Sequence, residues 1–336
     1  MKAVKRICAF IIGLVFFVAG FLKLMDPVGA SLVVEEYFKF LHLGFLIPFS
    51  RAFGVGMALF ETLLGAVMLA GVWPAVAACL SGLVLLGFTA LTFVLWTVNP
   101  AMDCGCFGEA VHLTHFQSFI KNVALCVLWL AAYIPFKSVP RPKGVKYVSF
   151  SIAALSIVAF TVWAQKSIPA MDFTAFKPGE TLMQAQSSPS PGSPLLSICN
   201  ASGDYCDELL AEGQMLVVSA YDFDSLSPFD VAAIDKWREA MPVPVYVLVT
   251  GADGPWGSFT ADRRTLMTLN RSNGGATLLS DGLIVSKWPL GKLPSAERVG
   301  ELVAMDPTEA MVKENTPQRL KLQGFLLYVT AVLLLL

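Results

Sequence analysis

Five apolar runs precede residue 165. They are Ile7 to Leu24, Phe53 to Gly71, Pro74 to Val98, Phe119 to Pro135 and Val148 to Trp163. Each is close to the ~20 residues an α-helix needs to cross about 30 Å of hydrocarbon. A sixth run, Leu322 to Leu336, is shorter. Only 15% of the 336 residues are charged and 55% are hydrophobic, whereas a soluble domain is roughly one quarter charged. The fold class is therefore an α-helical membrane protein. The net charge of -1 provides no basic footprint for nucleic acid, and membrane lipid is the expected surrounding. The first run follows Lys2, Lys5 and Arg6, as a signal peptide would, but no A-x-A cleavage site follows it and the apolar stretch is long. It is read as a retained helix.

Basic residues in short loops set the orientation. Lys2, Lys5 and Arg6 place the N-terminus in the cytoplasm. Lys137, Arg141, Lys143 and Lys146 in "FKSVPRPKGVK" place the loop after the fourth span there too. The loop after the third span, "NPAMDCGCFGEAVHLTHFQS", has no Lys or Arg and is expected on the outer face. Between spans one and two, "SLVVEEYFKFLHLGF" has a helical rhythm. It reads as an amphipathic helix on the outer surface, or as an extension of span two interrupted by Pro48.

Residues 166–320 are polar by contrast. "QSSPSPGSP" reads as a linker. A strand (Met215 to Tyr221), a helix (Phe229 to Ala240) and a second strand ("VPVYVLVTG") follow. "GATLLSDGLIVSKW" then reads as a hairpin turning at Asp281-Gly282. This pattern implies a small α/β domain on the outer side. The expected organisation is a helical bundle over 1–136, a cytoplasmic loop and fifth helix over 137–165, the outer domain over 166–320 and a last helix over 321–336.

Four of the seven cysteines form close pairs. In "DCGCFG", Cys104 and Cys106 flank Gly105, which has the backbone freedom for a tight turn. Three readings are open: a redox pair, a static disulfide or inert thiols, and a metal site. The metal reading adds His112 and His115 as weak candidate ligands, although C-x-C is tighter than usual zinc spacing. Glu61 lies inside span two, where a carboxylate needs a partner. Lys23, Thr89 and Thr92 are candidates, in a proton-handling or a packing role. Gly13, Gly20, Gly54, Gly56, Gly65, Ser81 and Gly82 permit close helix approach. Cys199 and Cys206 flank "NASGDY", which reads as a hairpin loop with an Asx-type turn. A structural disulfide between them is expected. Cys8, Cys79 and Cys126 read as small hydrophobes.

"GFLKLMDP", "FETLLG" and "DCGCFG" together resemble the MauE/DoxX family of bacterial integral membrane proteins, over about residues 7–136. The resemblance implies a four-helix bundle in the inner membrane, with Cys104 and Cys106 as its redox pair and Glu61 at the acidic position of the second helix. It implies thiol–disulfide exchange in the maturation of an exported protein, as MauE-type proteins serve methylamine dehydrogenase. By analogy with quinone-linked disulfide oxidoreductases, it makes a quinone a possible cofactor; the residues themselves identify none. The competing class is a non-enzymatic scaffold whose outer domain binds a partner. That domain resembles a degenerate thioredoxin fold, with Asp222, Asp224, Ser225 and Ser227 in place of a C-x-x-C and no cis-proline before the hairpin.

Overall fold

The computed structural model describes residues 2–134, 143–165, 168–169, 171–182, 195–251 and 257–336. Lys137, Arg141 and the "QSSPSPGSP" stretch lie outside these. The chain divides into two compact units: residues 1–166 with 325–336, and residues 167–324.

The first unit is helical. Its elements are α1 (Lys2–Met25), α2 (Pro27–Phe40), α3 (Ser50–Ala70), α4 (Pro74–Val98), the short strand β1 (Cys106–Glu109), α5 (His115–Tyr133) and α6 (Gly144–Ala164). Among the described residues, five helices are long and apolar enough to cross a membrane. Their ranges are Ala3–Met25, Gly44–Ala70, Pro74–Val98, His115–Tyr133 and Gly144–Ala164, with a shorter apolar helix at Leu322–Leu335. Leu83, Leu86 and Leu155 leave about 70% of their surface uncovered (69%, 68% and 72%). Such an outward-facing apolar surface on helices of this length is what lipid requires. The chain is a multi-pass membrane protein.

Local chemistry fixes where these helices start and stop. Asp26 caps α2 by accepting from the Gly29 amide, and Pro27 sits at its first position. Gly71 ends α3 in the left-handed conformation (φ 71°). A capping box of Thr114 and Gln117 opens α5. Glycine then brings α1 onto α3. A Cβ on Gly65 would collide with the Phe17 backbone, and one on Gly20 would stand 2.5 Å from the Thr62 amide. Gly13, Gly54 and Gly82 are similarly crowded, whereas Gly56 faces open space. Ile12, Phe16, Leu64, Leu85 and Leu125 form the core between α1, α3, α4 and α5.

The helix expected on the outer surface is α2, and its position is a correction. Pro27 through Val34 are all buried, so its first two turns are inside the unit. Only its later part carries the glutamates. Ala30 and Ser31 lie against Gly54 of α3, and Val33 lies under Gly105.

The second unit is α/β. Strand β2 (Gln214–Ala220) is central, parallel to β3 (Val245–Val249), which is parallel to β4 (Phe259–Thr260). On its other side β5 (Gly275–Ser280) and β6 (Leu283–Trp288) run antiparallel, giving the order β4-β3-β2-β5-β6. The β5–β6 turn has positive φ at both Asp281 (49°) and Gly282 (77°), as a type I′ hairpin requires. Helix α7 (Pro228–Glu239) contributes Ile234 to one core cluster, and α9 (Ala296–Val303) contributes Val299 and Leu302 to another. Helix α8 is Arg263–Leu269, and α10 (Pro307–Leu335) supplies residues to both units.

Candidate functional site

The site is built by the "DCGCFG" segment folding against four helices. Gly105 (φ 58°) and Gly108 (φ 62°) both take left-handed conformations, which glycine alone adopts freely. The Gly108 amide donates to the Gly105 carbonyl at 3.2 Å, closing a tight turn. A side chain at Gly105 would run into Val33 of α2. The Tyr37 hydroxyl, also from α2, donates to the Cys104 carbonyl at 2.7 Å. The turn therefore seats on α2, Cys104 is buried and Cys106 is half-buried.

Beneath this turn is a cavity of about 220 Å³. Its walls are mainly apolar, among them Phe16, Val33, Phe38, Phe53, Phe88 and Leu125. Its polar groups are few: Cys104, Cys106, Lys23, Glu61, Tyr37, Thr92, Lys121 and Asn122. Lys23 donates to both Glu61 oxygens, at 3.0 and 2.8 Å. The two residues keep only 7% and 1% of their surface. Of the three partners weighed for Glu61, Lys23 is the one it meets. Thr89 and Thr92 instead donate to carbonyls of their own helix, Leu85 and Phe88. Asn122 donates to Thr92 and to the Phe88 carbonyl.

Lys121 escapes the sequence reading. Its ammonium lies 4.9 Å from the Phe107 ring, a cation–π contact, and it faces Cys106. The signal was present, since a lysine within the fourth apolar run is exceptional in a membrane span. The Cys106 thiol is held down to about 5, first by its interaction with the Cys104 thiol, then against burial by Lys121 and Lys23. The Cys104 thiol is raised well above the ordinary range, by that same interaction and by burial. One sulfur is thus a thiolate at neutral pH and the other a thiol.

The candidate metal ligands are not gathered at one point. His112 is exposed and lies 3.5 Å from Asp103, whereas the His115 Nδ1 lies 3.2 Å from the Cys104 Sγ. No cluster of three or more His, Cys, Asp or Glu suited to a metal occurs among the described residues. Cys8 is buried, Cys79 is exposed, and Cys126 lies 3.4 Å from the Thr89 hydroxyl.

In the second unit the expected disulfide gives way to two free thiols. The hairpin and its Asx turn are present, with Asn200 Oδ1 accepting from the Ser202 and Asp204 amides at 2.9 Å. The register, however, pairs Cys199 with Tyr205. Cys206 is one residue further on, and adjacent strand residues point to opposite faces. Asp222, Ser225 and Asn273 hold one another through four hydrogen bonds after β2. Asp224 lies in the same short helical turn, and Ser227 caps α7.

Fold and site together define a multi-pass membrane protein with a pair of close cysteines above a mainly apolar cavity. Residues 1–135 match the family model described as "Methylamine utilisation protein MauE", so this part of the chain is similar to MauE membrane proteins. No curated protein matches the chain.

Proposed function

We propose that the helical unit carries out thiol–disulfide exchange with an exported protein, with Cys106 as the entering nucleophile and Cys104 as the resolving thiol. One observation carries this: Cys104 and Cys106 share a tight glycine turn beside the Lys121 ammonium, which, with Cys104, holds the Cys106 thiol down. A low-pKa thiolate is formed without a separate base and is a good leaving group in the reverse step. Inert or stapling cysteines have no need of Lys121 aimed at one sulfur. The absence of basic residues from this loop supports placing it on the outer face of a bacterial inner membrane. The family description points to methylamine utilisation as the setting.

The cavity accounts for the reverse electron flow. A quinone, when bound, would supply two-electron, two-proton redox chemistry. The residues present fit such a group, since ~150 Å³ already takes a benzene ring and the walls here are apolar over about 220 Å³. Val33, Phe38, Phe53 and Phe88 would hold its ring. Lys23 and Glu61 would hold or pass a proton at the buried end, which gives this ion pair a use beyond packing.

We read the second unit as a thioredoxin-like domain outside the membrane. Its β2–α7–β3 crossover and β5–β6 hairpin, in the order β3-β2-β5-β6, support that reading. Asp222 and Ser225 stand where such a domain would hold its dithiol, so its part is to bind the partner rather than to exchange disulfides. In the four-helix arrangement of the MauE-like part, all redox chemistry rests with Cys104 and Cys106.

The test is trapping. Full-length Cys104→Ser protein is expressed in its native host, acid-quenched and purified under non-reducing conditions. A partner released by reductant, and absent from Cys106→Ser protein, is the expected result. Equal recovery from both variants, or from neither, overturns the exchange reading and favours a scaffold.

A further inference from the structure

Cys104 has one proton and two neighbours able to take it. The first is the Cys106 sulfur. The second is the His115 Nδ1, 3.2 Å from the Cys104 Sγ. His115 stands at the first position of α5, fixed there by the Thr114–Gln117 capping box. Its other nitrogen, Nε2, is 3.0 Å from the Pro100 carbonyl. A carbonyl can only accept, so Nε2 carries a proton, and in the neutral form of the ring that leaves a lone pair at Nδ1. This tautomer aims a base at the Cys104 sulfur and anchors the ring from behind.

We infer that His115 is a catalytic residue, the proton acceptor that turns Cys104 into a nucleophile when the mixed disulfide on Cys106 is resolved. The inference rests on the exchange reading above. While Cys106 is a free thiolate, it competes for the Cys104 proton. Once the Cys106 sulfur is bonded to a partner's sulfur it is no longer an anion, and Nδ1 is the acceptor that remains. Cys104 then gives its proton to Nδ1, and its electron pair forms the Cys104–Cys106 bond. The bond from Cys106 to the partner breaks, and the partner's sulfur leaves as a thiolate. The cysteine pair is oxidised by two electrons and the partner's disulfide is reduced. In the reverse direction a partner thiolate attacks Cys106 and the leaving Cys104 takes the proton back. The role of His115 is the same in both directions.

Pairing a nucleophile with an oriented base is the general logic of covalent catalysis. It is needed here because the Cys104 thiol stays buried in the mixed disulfide, and burial raises it above the ordinary range. The other charged and titratable groups facing the pair are Lys23 of α1, Tyr37 and Glu36 of α2, Glu61 of α3 and Lys121 of α5. Asp103 and His112 flank it in the loop. None of these is altered in the test.

The full-length, detergent-solubilised protein is reduced, freed of reductant and mixed with glutathione disulfide. Mass analysis of acid-quenched samples follows the Cys106–glutathione adduct and its conversion to the Cys104–Cys106 disulfide. In His115→Gln at pH 7 the adduct should still form at the native rate, but resolve about 100-fold more slowly, at the low end of general acid–base effects. The deficit should shrink as pH rises, because hydroxide then replaces the missing base. Resolution at the native rate overturns the inference. So does a deficit that is constant with pH, or that extends to adduct formation, since either means His115 only shapes the loop. A native protein that forms no adduct on Cys106 overturns the exchange reading itself. A second measurement needs no substitution. With three histidines in the chain, nitrogen NMR of the reduced native protein should show one whose proton sits on Nε2 at neutral pH. If His115 instead carries its proton on Nδ1, the inference fails.

Discussion

Cys104/Cys106 and Cys199/Cys206 are both close pairs, yet their surroundings have almost nothing in common. The first pair lies on a turn packed against α2, with Lys121 and His115 directed at its sulfurs. The second lies on a hairpin whose polar groups satisfy each other locally: Asn200 holds the turn, and the Cys206 thiol donates to the Asp204 carbonyl. Spacing brings thiols near one another, but the charge and the base come from α5, outside the C-x-C segment. Reactivity belongs to those neighbours more than to the C-x-C itself.

The contrast is sharpest in single substitutions. Cys106→Ser should abolish adduct formation with glutathione disulfide at the 104–106 site, while Cys206→Ser leaves that site's rate unchanged. Peptide mass analysis reads both, and an effect of Cys206→Ser equal to that of Cys106→Ser would erase the distinction.

The pH dependence comes next. At pH 6 a thiol ionising at about 5 is roughly nine-tenths thiolate, while an ordinary thiol near 8.5 is about 0.3% thiolate. Lower basicity reduces intrinsic nucleophilicity, by roughly 40-fold over that span. The net gain at pH 6 is then about tenfold. Because the ionisation is lowered, reactivity is retained above it and lost as pH falls through about 5. Alkylation of Cys106 should therefore be flat from pH 6.5 to 8.5. Cys104→Ala removes the largest cause of the lowering, so the profile should move to higher pH. A native profile that climbs steadily to pH 9 would contradict the site as described.

Glycines give the smallest and most local comparison. Gly105→Ala meets Val33 and a left-handed backbone, which together cost about 2–4 kcal/mol. Gly203→Ala, in the Cys199/Cys206 hairpin, has the same backbone problem (φ 85°) but open space around it, so about 1–2 kcal/mol is expected. Thermal unfolding of the two variants in detergent compares them. Val33→Ala should recover part of the Gly105→Ala loss and none of the Gly203→Ala loss.

The spans were legible because length and apolarity are properties of a contiguous segment: Pro74 to Val98 is recovered as α4 without adjustment. The β5–β6 hairpin was legible from Asp281-Gly282, where local chemistry dictates the turn. Partnerships across the fold were less so. Lys23 and Glu61 could be matched because each was an isolated charge in an apolar run. Lys121 is visible as a charge in the fourth apolar run, but its closeness to Cys106 is set by how the loop folds back on α5. His115 read as a weak metal-ligand candidate, since nothing local shows that α5 begins by turning its ring toward Cys104. The disposition of α2 was misread because its glutamates suggest a wet face, while burial of Pro27 to Val34 depends on where α3 lies. The Cys199–Cys206 geometry turns on a one-residue register, Cys199 facing Tyr205, which sequence spacing does not encode.

The Lys23–Glu61 pair also bears on how the chain is made. Its members are 38 residues apart, so at ~5–20 residues per second Lys23 is synthesised about 2–8 s before its partner exists. Lys23 stands two residues from the end of α1, near enough for its ammonium to reach the aqueous boundary along its flexible stem until α3 docks. Glu61 has no such escape, being at mid-helix in α3. An unpaired carboxylate there costs ~2.5–3.5 kcal/mol on insertion. The cation is thus made first and the anion second, and docking of α3 on α1 pairs the two in one step.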